Sequence, residues 1–275
     1  MTVLIKYPSI TKKRMKDFLD RRGEEFTNLF WANMGGTFDT DGTISKCRGG
    51  GSGIQKICRI AIKDRGPVEF FCRKLETSLT YIEHETKAPK SSYASSGKKY
   101  TAKEYVGGMR SFKAIWFVEN VYPYLLKQEK KDYAAKLLGY RPESKPFAGW
   151  TPEEIKHYFG TATEGDGSCY FGKKGATLGL QIGLYSKDLT YLSTVKNLID
   201  KVGVVSSVNK SHKVYMTQEG PAQMYMMSFW ASTSANGKHP ANVDFAQSLL
   251  ERDVMTLDRK KCKIQEFVRQ FEKKH

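Results

Sequence analysis

Gly35-Gly36-Thr37-Phe38-Asp39-Thr40-Asp41-Gly42 returns later in the chain as Gly160-Thr161-Ala162-Thr163-Glu164-Gly165-Asp166-Gly167. Both stretches run from small residues to an acid, one small residue, Asp and Gly. The two aspartates stand 125 residues apart (166 − 41). Downstream, Ile62-Lys63-Asp64 is answered by Ser186-Lys187-Asp188, 124 residues on (187 − 63). Two landmarks at a nearly constant offset indicate an internal duplication of about 125 residues.

Each copy reads alike. An apolar helix runs into the acidic motif, from Glu24 to Phe38 and from Pro152 to Thr163. The second has a start signal: Thr151 as N-cap, Pro152 at the first helical position, Glu154 completing a capping box. Gly42 and Gly167 are read as helix ends, in the role of residues needing positive φ. Strands follow. Between Ala176 and Lys187, Leu178, Leu180, Ile182 and Leu184 share one face; Gln181, Tyr185 and Lys187 share the other. In the first copy Cys58, Ile60 and Ile62 oppose Gln55, Arg59, Ala61 and Lys63, with Ile57 breaking the alternation.

Apolar residues then recur at helical spacing over Pro67 to Leu79 and Leu189 to Val202. Further strands are expected at Ile82–Lys90 with Lys99–Met109, and at Val204–Lys210 with Gln223–Phe229. Closing helices are expected at Lys113–Leu138, broken at Pro123, and at Asn242–Phe271. The division is residues 1–23 as a basic N-terminal extension, 24–138 as a first half-domain, 139–150 as linker and 151–275 as a second half-domain.

The 275 residues carry 45 Lys and Arg against 29 acids, a net charge of +16, which calls for a polyanionic partner. DNA, RNA and an anionic membrane surface are all compatible with that number. No run of eighteen apolar residues is present, so no membrane span is expected. The first residues lack an apolar signal core, and the chain reads as an intracellular soluble protein. Cytoplasm or nucleoid and an organelle remain open as its place. Its five cysteines include no CxxC pair, which argues against a zinc ribbon and a disulfide framework. The run Gly49-Gly50-Gly51-Ser52-Gly53 lacks the Gly-Lys-Ser/Thr of a phosphate-binding loop and reads as a hairpin. His157 and His212 have no partner at ligand spacing. Trp31, Trp116 and Trp150 read as core.

Met34 to Gly42, MGGTFDTDG, and Phe159 to Gly167, FGTATEGDG, resemble the LAGLIDADG motif, and the α-β-β-α-β-β-α order resembles that family from Glu24 to Gln270. The resemblance implies an α+β fold of two pseudo-symmetric αββαββα half-domains. The motif helices form the interface, and the antiparallel sheets form a DNA-binding saddle suited to the major groove. It implies a sequence-specific DNA endonuclease making a double-strand break by metal-dependent hydrolysis at a long asymmetric target. Departures are Thr161 in place of glycine and Thr37 in place of an aliphatic residue, both expected to loosen or polarise the helix seam.

Phosphodiester hydrolysis needs an activated water and relief of charge on the phosphate, which divalent cations supply. Mg²⁺, or Mn²⁺ or Ca²⁺ in the same place, prefers carboxylate oxygen and water. By resemblance, Asp41 and Asp166 are the metal ligands, with the carbonyls of Thr40 and Gly165 contributing. Asp39 and Glu164 are expected to stabilise the motif helix or its turn. Lys63 and Lys187 match a family position near the catalytic water; surface lysine is the competing reading. Lys113 and Lys238 are weaker candidates. Target reading falls to Gln55, Arg59, Gln181 and Tyr185, against the alternative of a solvated sheet face. Lys87, Lys90, Lys98, Lys99, Lys103, Lys210 and Lys213 are expected to hold phosphates.

The expected partner is double-stranded DNA, with intron RNA second and no membrane, bound by a monomer. The competing functions are an RNA maturase on the same fold and a non-catalytic DNA-binding regulator. Both acids being present argues against the latter. The absence of splice-junction residues argues against an intein.

Overall fold

Thr27 and Thr151 start the two motif helices, each accepting a hydrogen bond at its hydroxyl from a backbone N–H three residues on. The Thr151 capping box is complete: Glu154 N–H donates to the hydroxyl at 3.3 Å, and Thr151 N–H donates to the Glu154 carboxylate at 2.8 Å. Such a cap is worth about 1 kcal/mol. The computed structural model describes residues 11–48, 54–87, 99–174, 177–217, 220–232, 239–251 and 253–273.

In chain order the elements are α1 (Lys12–Arg22), α2 (Asn28–Thr40), β1 (Gly42–Arg48), β2 (Ile54–Ile62), α3 (Arg65–Lys74), β3 (Leu79–Lys87), β4 (Lys99–Arg110), α4 (Phe112–Val121) and α5 (Gln128–Leu138). The same sequence of elements then begins again: α6 (Pro152–Asp166), β5 (Gly167–Lys174), β6 (Thr177–Ser186), α7 (Leu189–Lys201), β7 (Ser206–Thr217), β8 (Gly220–Ser232), α8 (Pro240–Ser248) and α9 (Asp258–Glu272). Each half builds one four-stranded antiparallel sheet, ordered β1-β2-β4-β3 and β5-β6-β8-β7. The motif helices α2 and α6 pack on each other and are almost wholly buried. This is the pseudo-symmetric α+β arrangement that the repeat implied.

The alternation read along the strands holds. Cys58 and Ile60 of β2, and Leu180, Ile182 and Leu184 of β6, are buried under the helices, while Arg59 is exposed and Gln181 and Tyr185 are half-buried. Ile57 lies on the outward face, opposite Ser45 and Arg110. Helix α1 docks Met15 and Phe18, and the Phe18 ring meets Phe26 and Trp116 at 5.6 and 5.8 Å. Trp31 and Trp150 are core residues and Trp116 packs against the core. Cys58, Cys72 and Cys169 are buried free thiols, and Cys262 is exposed.

Four expectations change. Neither Gly42 nor Gly167 has positive φ; among the described glycines only Gly139 and Gly203 do. Crowding selects them instead. A Cβ at Gly42 would stand 2.5 Å from the Phe38 Cα, and one at Gly167 would stand 2.5 and 2.7 Å from the Thr163 and Gly183 carbonyl oxygens. The helix expected over Asn242–Phe271 is two helices, α8 and α9, because the intervening strand of chain is drawn across the motif helix. Val254 lies where a Cβ at Gly160 would meet its carbonyl at 2.9 Å, and Asp253 adopts φ 63°. The strands of the second hairpin, β7 and β8, run past the ends expected for them, to Thr217 and from Gly220.

The last change concerns Thr161, which ties the seam rather than loosening it. Its hydroxyl donates to the Asn33 carbonyl of the opposite helix at 2.8 Å. It also fills the space left by Gly36, where a Cβ would stand 2.4 Å from the Thr161 Oγ1. Thr37 turns its hydroxyl back to the Asn33 carbonyl at 3.1 Å, within its own helix. Thr161→Val keeps the volume and removes the donor. It is expected to cost about 1 kcal/mol, read as a fall in melting temperature of roughly 2–4 °C.

Candidate functional site

The two helices carry their acids to a common end of the seam. A Cβ at Gly165 would stand 2.1 Å from the Asp41 Oδ2 and 2.3 Å from the Thr40 Oγ1, so Thr40-Asp41 of one half lies directly against Gly165-Asp166 of the other. Glycine is needed here because a carboxylate of the opposite helix fills the space beside its Cα. The Thr40 hydroxyl lies 3.3 Å from the Asp41 Oδ2. Burial, and next the charge of Asp166, pushes the Asp41 carboxyl up to about 6. Lys127 reaches Asp166 at 3.2 Å, its ammonium 4.8 Å from the Tyr191 ring centre.

The sixth-position acids take no part in that cluster; each fixes the helix that follows. Asp39 is fully buried. It accepts from the backbone N–H groups of Leu126 and Lys127 at 2.6 and 3.2 Å, and from the Tyr158 hydroxyl of the opposite motif helix at 2.5 Å. Burial pushes it up to about 6 against these donors, which favour its charged form. Glu164 accepts from the N–H groups of Thr256 and Leu257 and is pushed up to about 7 by burial. Leu126-Lys127 precede α5 and Thr256-Leu257 precede α9, so each acid caps a helix start, where the unsatisfied donors and the helix dipole favour negative charge.

A lysine then returns the favour at the motif helix's other end. Lys130, third in α5, donates to the Gly42 carbonyl; Lys260, third in α9, donates to the carbonyls of Thr163, Glu164 (2.7 Å) and Gly167 (2.8 Å). Burial lowers both lysines, Lys260 to about 8. The offset of this second landmark is 130 residues (260 − 130). Sequence reading missed Lys127, Lys130 and Lys260 because Lys113–Leu138 was treated as helix with a break only at Pro123. The available signal was a pair of bulky residues, Leu125-Leu126 and Met255-Thr256, each four or five residues before a lysine.

Lys187 is exposed just past β6 and lines a cavity of about 560 Å³ together with Asp166, Lys127, Ser168, Tyr185 and Met224. Lys63 is exposed just past β2, outside that cavity, beside Asp64, which pairs with Arg259 at 3.2 Å. Lys113 is elsewhere altogether. It is buried against the Leu75 carbonyl, 3.9 Å from the Phe18 ring centre, and serves the α1 contact. Lys103 pairs with Glu83 at 3.3 Å, and Lys210 is exposed on β7. The side chains of Lys87, Lys99, His212 and Lys213, and all of Gly49–Gly53, Lys90, Lys98 and Lys238, lie outside the described residues. His157 is buried in α6, and burial lowers its pKa.

The outward sheet faces differ between halves. In the first, Arg59 stands between Thr43 and Gly108, next to Ile57 and Arg110, and the Arg110 Nε is buried without a hydrogen-bond partner. In the second, Gln181 stands between Tyr170 and Trp230 and reaches the Ser228 hydroxyl at 3.3 Å. Tyr170, 55% exposed, and Arg110 were not singled out from sequence.

The pKa of Asp41 has a consequence for stability. An acid whose folded pKa lies above its unfolded value contributes most below the unfolded pKa, near about 4, and loses that contribution as pH rises through about 6. Without divalent cation, Asp41→Asn should therefore melt with the wild type below about pH 4 and roughly a few degrees above it by about pH 8. Calorimetry in chelator across that range checks this. Equal melting at the upper end would mean the charge of Asp41 carries no such cost.

No family model matches the sequence, and no curated protein matches it. Among solved structures, the LAGLIDADG homing endonuclease I-GzeII in complex with its DNA target is similar at 12% identity. The match covers 89% of this chain and 91% of that one, with a TM-score of 0.51. The LAGLIDADG meganuclease I-AabMI bound to uncleaved DNA matches at 11% identity over 88% and 90% of the two chains, TM-score 0.47. I-DmoI in complex with DNA and Ca matches at 13% over 86% and 96%, TM-score 0.44. The chain thus has the two-motif LAGLIDADG homing-endonuclease fold, with the motif helices at its centre.

Proposed function

We propose that the chain is a divalent-cation-dependent, sequence-specific endonuclease that cuts both strands of duplex DNA. One observation carries the reading: two acidic motif ends from duplicated halves meet at Asp41 and Gly165-Asp166, between two open antiparallel sheets on a chain of net charge +16. I-GzeII and I-AabMI, which share the arrangement, are described as bound to DNA.

A hard divalent cation fits the donors. Asp41 and Asp166 repel each other, and a cation between them relieves that repulsion. Among the described residues no cluster of three or more His, Cys, Asp or Glu stands ready to enclose a metal. Mg²⁺ suits such a sparse site, because it is commonly held by one or two carboxylates and keeps waters and substrate phosphate oxygens as its other ligands. Asp41 and Asp166, with the carbonyls of Thr40 and Gly165, would hold it. When bound, it supplies charge relief at the phosphate and an acidified water. Lys187, in the cavity beside Asp166, orients water or offsets developing charge, and Lys63 is assigned the same part in the other half.

The sheets read the target as a saddle in the major groove. Arg59 and Gln55 on one side, and Gln181 and Tyr185 on the other, face the bases; Lys87, Lys99 and Lys210 hold phosphates. Because the two outward faces carry different side chains, the target is long and asymmetric, and a monomer covers it. The test is incubation of a randomised duplex library with Mg²⁺ or Mn²⁺, followed by sequencing of the cut ends. One enriched site broken in both strands is expected; a library left uncut with either ion would end the reading.

A further inference from the structure

The pseudo-symmetry fails at one position. Asp39 takes the N–H groups of Leu126 and Lys127, and Glu164 takes those of Thr256 and Leu257. Lys130 and Lys260 hold the motif-helix ends alike. These three matched contacts superpose Lys127 on Leu257. Lys127 puts an ammonium 3.2 Å from Asp166, with its side chain only 14% exposed, whereas Leu257 is a buried aliphatic residue. Nearby cations do not make up the difference. Lys260 is committed to three carbonyls, and Arg259 pairs with Asp64.

We propose that the two cutting sites are unequal by construction, and that the strand whose scissile phosphate lies beside Lys127 is cut first. The proposal rests on the endonuclease reading above. In hydrolysis the water oxygen adds to phosphorus, one P–O ester bond breaks, and the leaving oxygen takes up a proton. Negative charge grows on the oxygens meanwhile, and a fixed, poorly solvated ammonium on one side stabilises it on that side only. Lys127 also neutralises Asp166 before any cation arrives, so it competes with cation binding there.

The experiment uses the full chain, a plasmid carrying the site selected from the library, and linear duplexes labelled on one strand or the other. Wild type should accumulate nicked circle, with one strand cut about tenfold faster than the other. Lys127→Met should slow that strand at least about tenfold and leave the other within about twofold. Leu257→Lys should speed the slower strand and narrow the gap, and it keeps the test alive if Lys127→Met folds poorly. Calorimetric titration of DNA-free protein with Ca²⁺ gives a second readout: tighter binding in Lys127→Met. Equal strand rates in the wild type overturn the inference alone. So does a Lys127→Met protein that slows both strands equally with unchanged Ca²⁺ affinity. A chain that cuts no duplex overturns the endonuclease reading and this inference together.

Discussion

Asp41→Asn and Asp166→Asn are each expected to lower double-strand cleavage at least about a thousandfold, roughly 4 kcal/mol of transition-state stabilisation, while duplex binding stays close to wild type. Asparagine matches the shape of aspartate and loses its charge. Shape matters at Asp41, whose Oδ2 fills the gap beside Gly165, so the isostere fits where a longer acid would collide. Binding survives because affinity for duplex comes from lysine and arginine contacts to phosphate, not from carboxylates, which repel it. Filter binding at fixed salt, alongside cleavage of the selected site, separates the two effects. Nicking of one strand alone by either variant would fit acids that serve separate strands. Cleavage by both variants at the wild-type rate would remove the acids from the chemistry.

The parts of the fold legible in the sequence were those with a local signature. The duplicated motif has one: small residues for a close helix seam and an acid at its end. So do the alternating strands, since Leu180, Ile182 and Leu184 must share a face whatever covers them. The Thr151 capping box is local too. What stayed hidden depends on distant residues meeting. Gly42 and Gly167 look in sequence like glycines chosen for positive φ, but the neighbours that exclude a Cβ include the carbonyl of Gly183 on another strand. The break before α9 has no proline to announce it. It follows from Glu164, 92 residues away, drawing in the N–H of Thr256. Lys127 was invisible for the same reason: nothing within its own segment says that its ammonium reaches an acid of the other half.

Gly36→Val is the substitution expected to cost the most in folding. A Cβ at Gly36 would stand 2.2 Å from the Tyr158 carbonyl oxygen and 3.0 Å from the Ala162 nitrogen. Both are backbone atoms in the middle of α6, so neither can swing aside as a side-chain tip would. Relief requires the two motif helices to part. That breaks the Thr161 bond to Asn33 and the Tyr158 bond to Asp39, leaving a fully buried acid short of a donor. Overpacking costs about 1–3 kcal/mol, and each lost buried hydrogen bond adds about 1 kcal/mol or more. The sum is on the order of 5 kcal/mol, comparable with the whole stability of many domains. Gly23→Ala is the control: its Cβ would meet nothing within 4 Å. Urea unfolding should show Gly23→Ala near wild type and Gly36→Val largely unfolded or without a cooperative transition. A Gly36→Val protein that unfolds at the wild-type midpoint would mean that the helix seam is not packed as closely as the contact between Gly36 and Tyr158 requires.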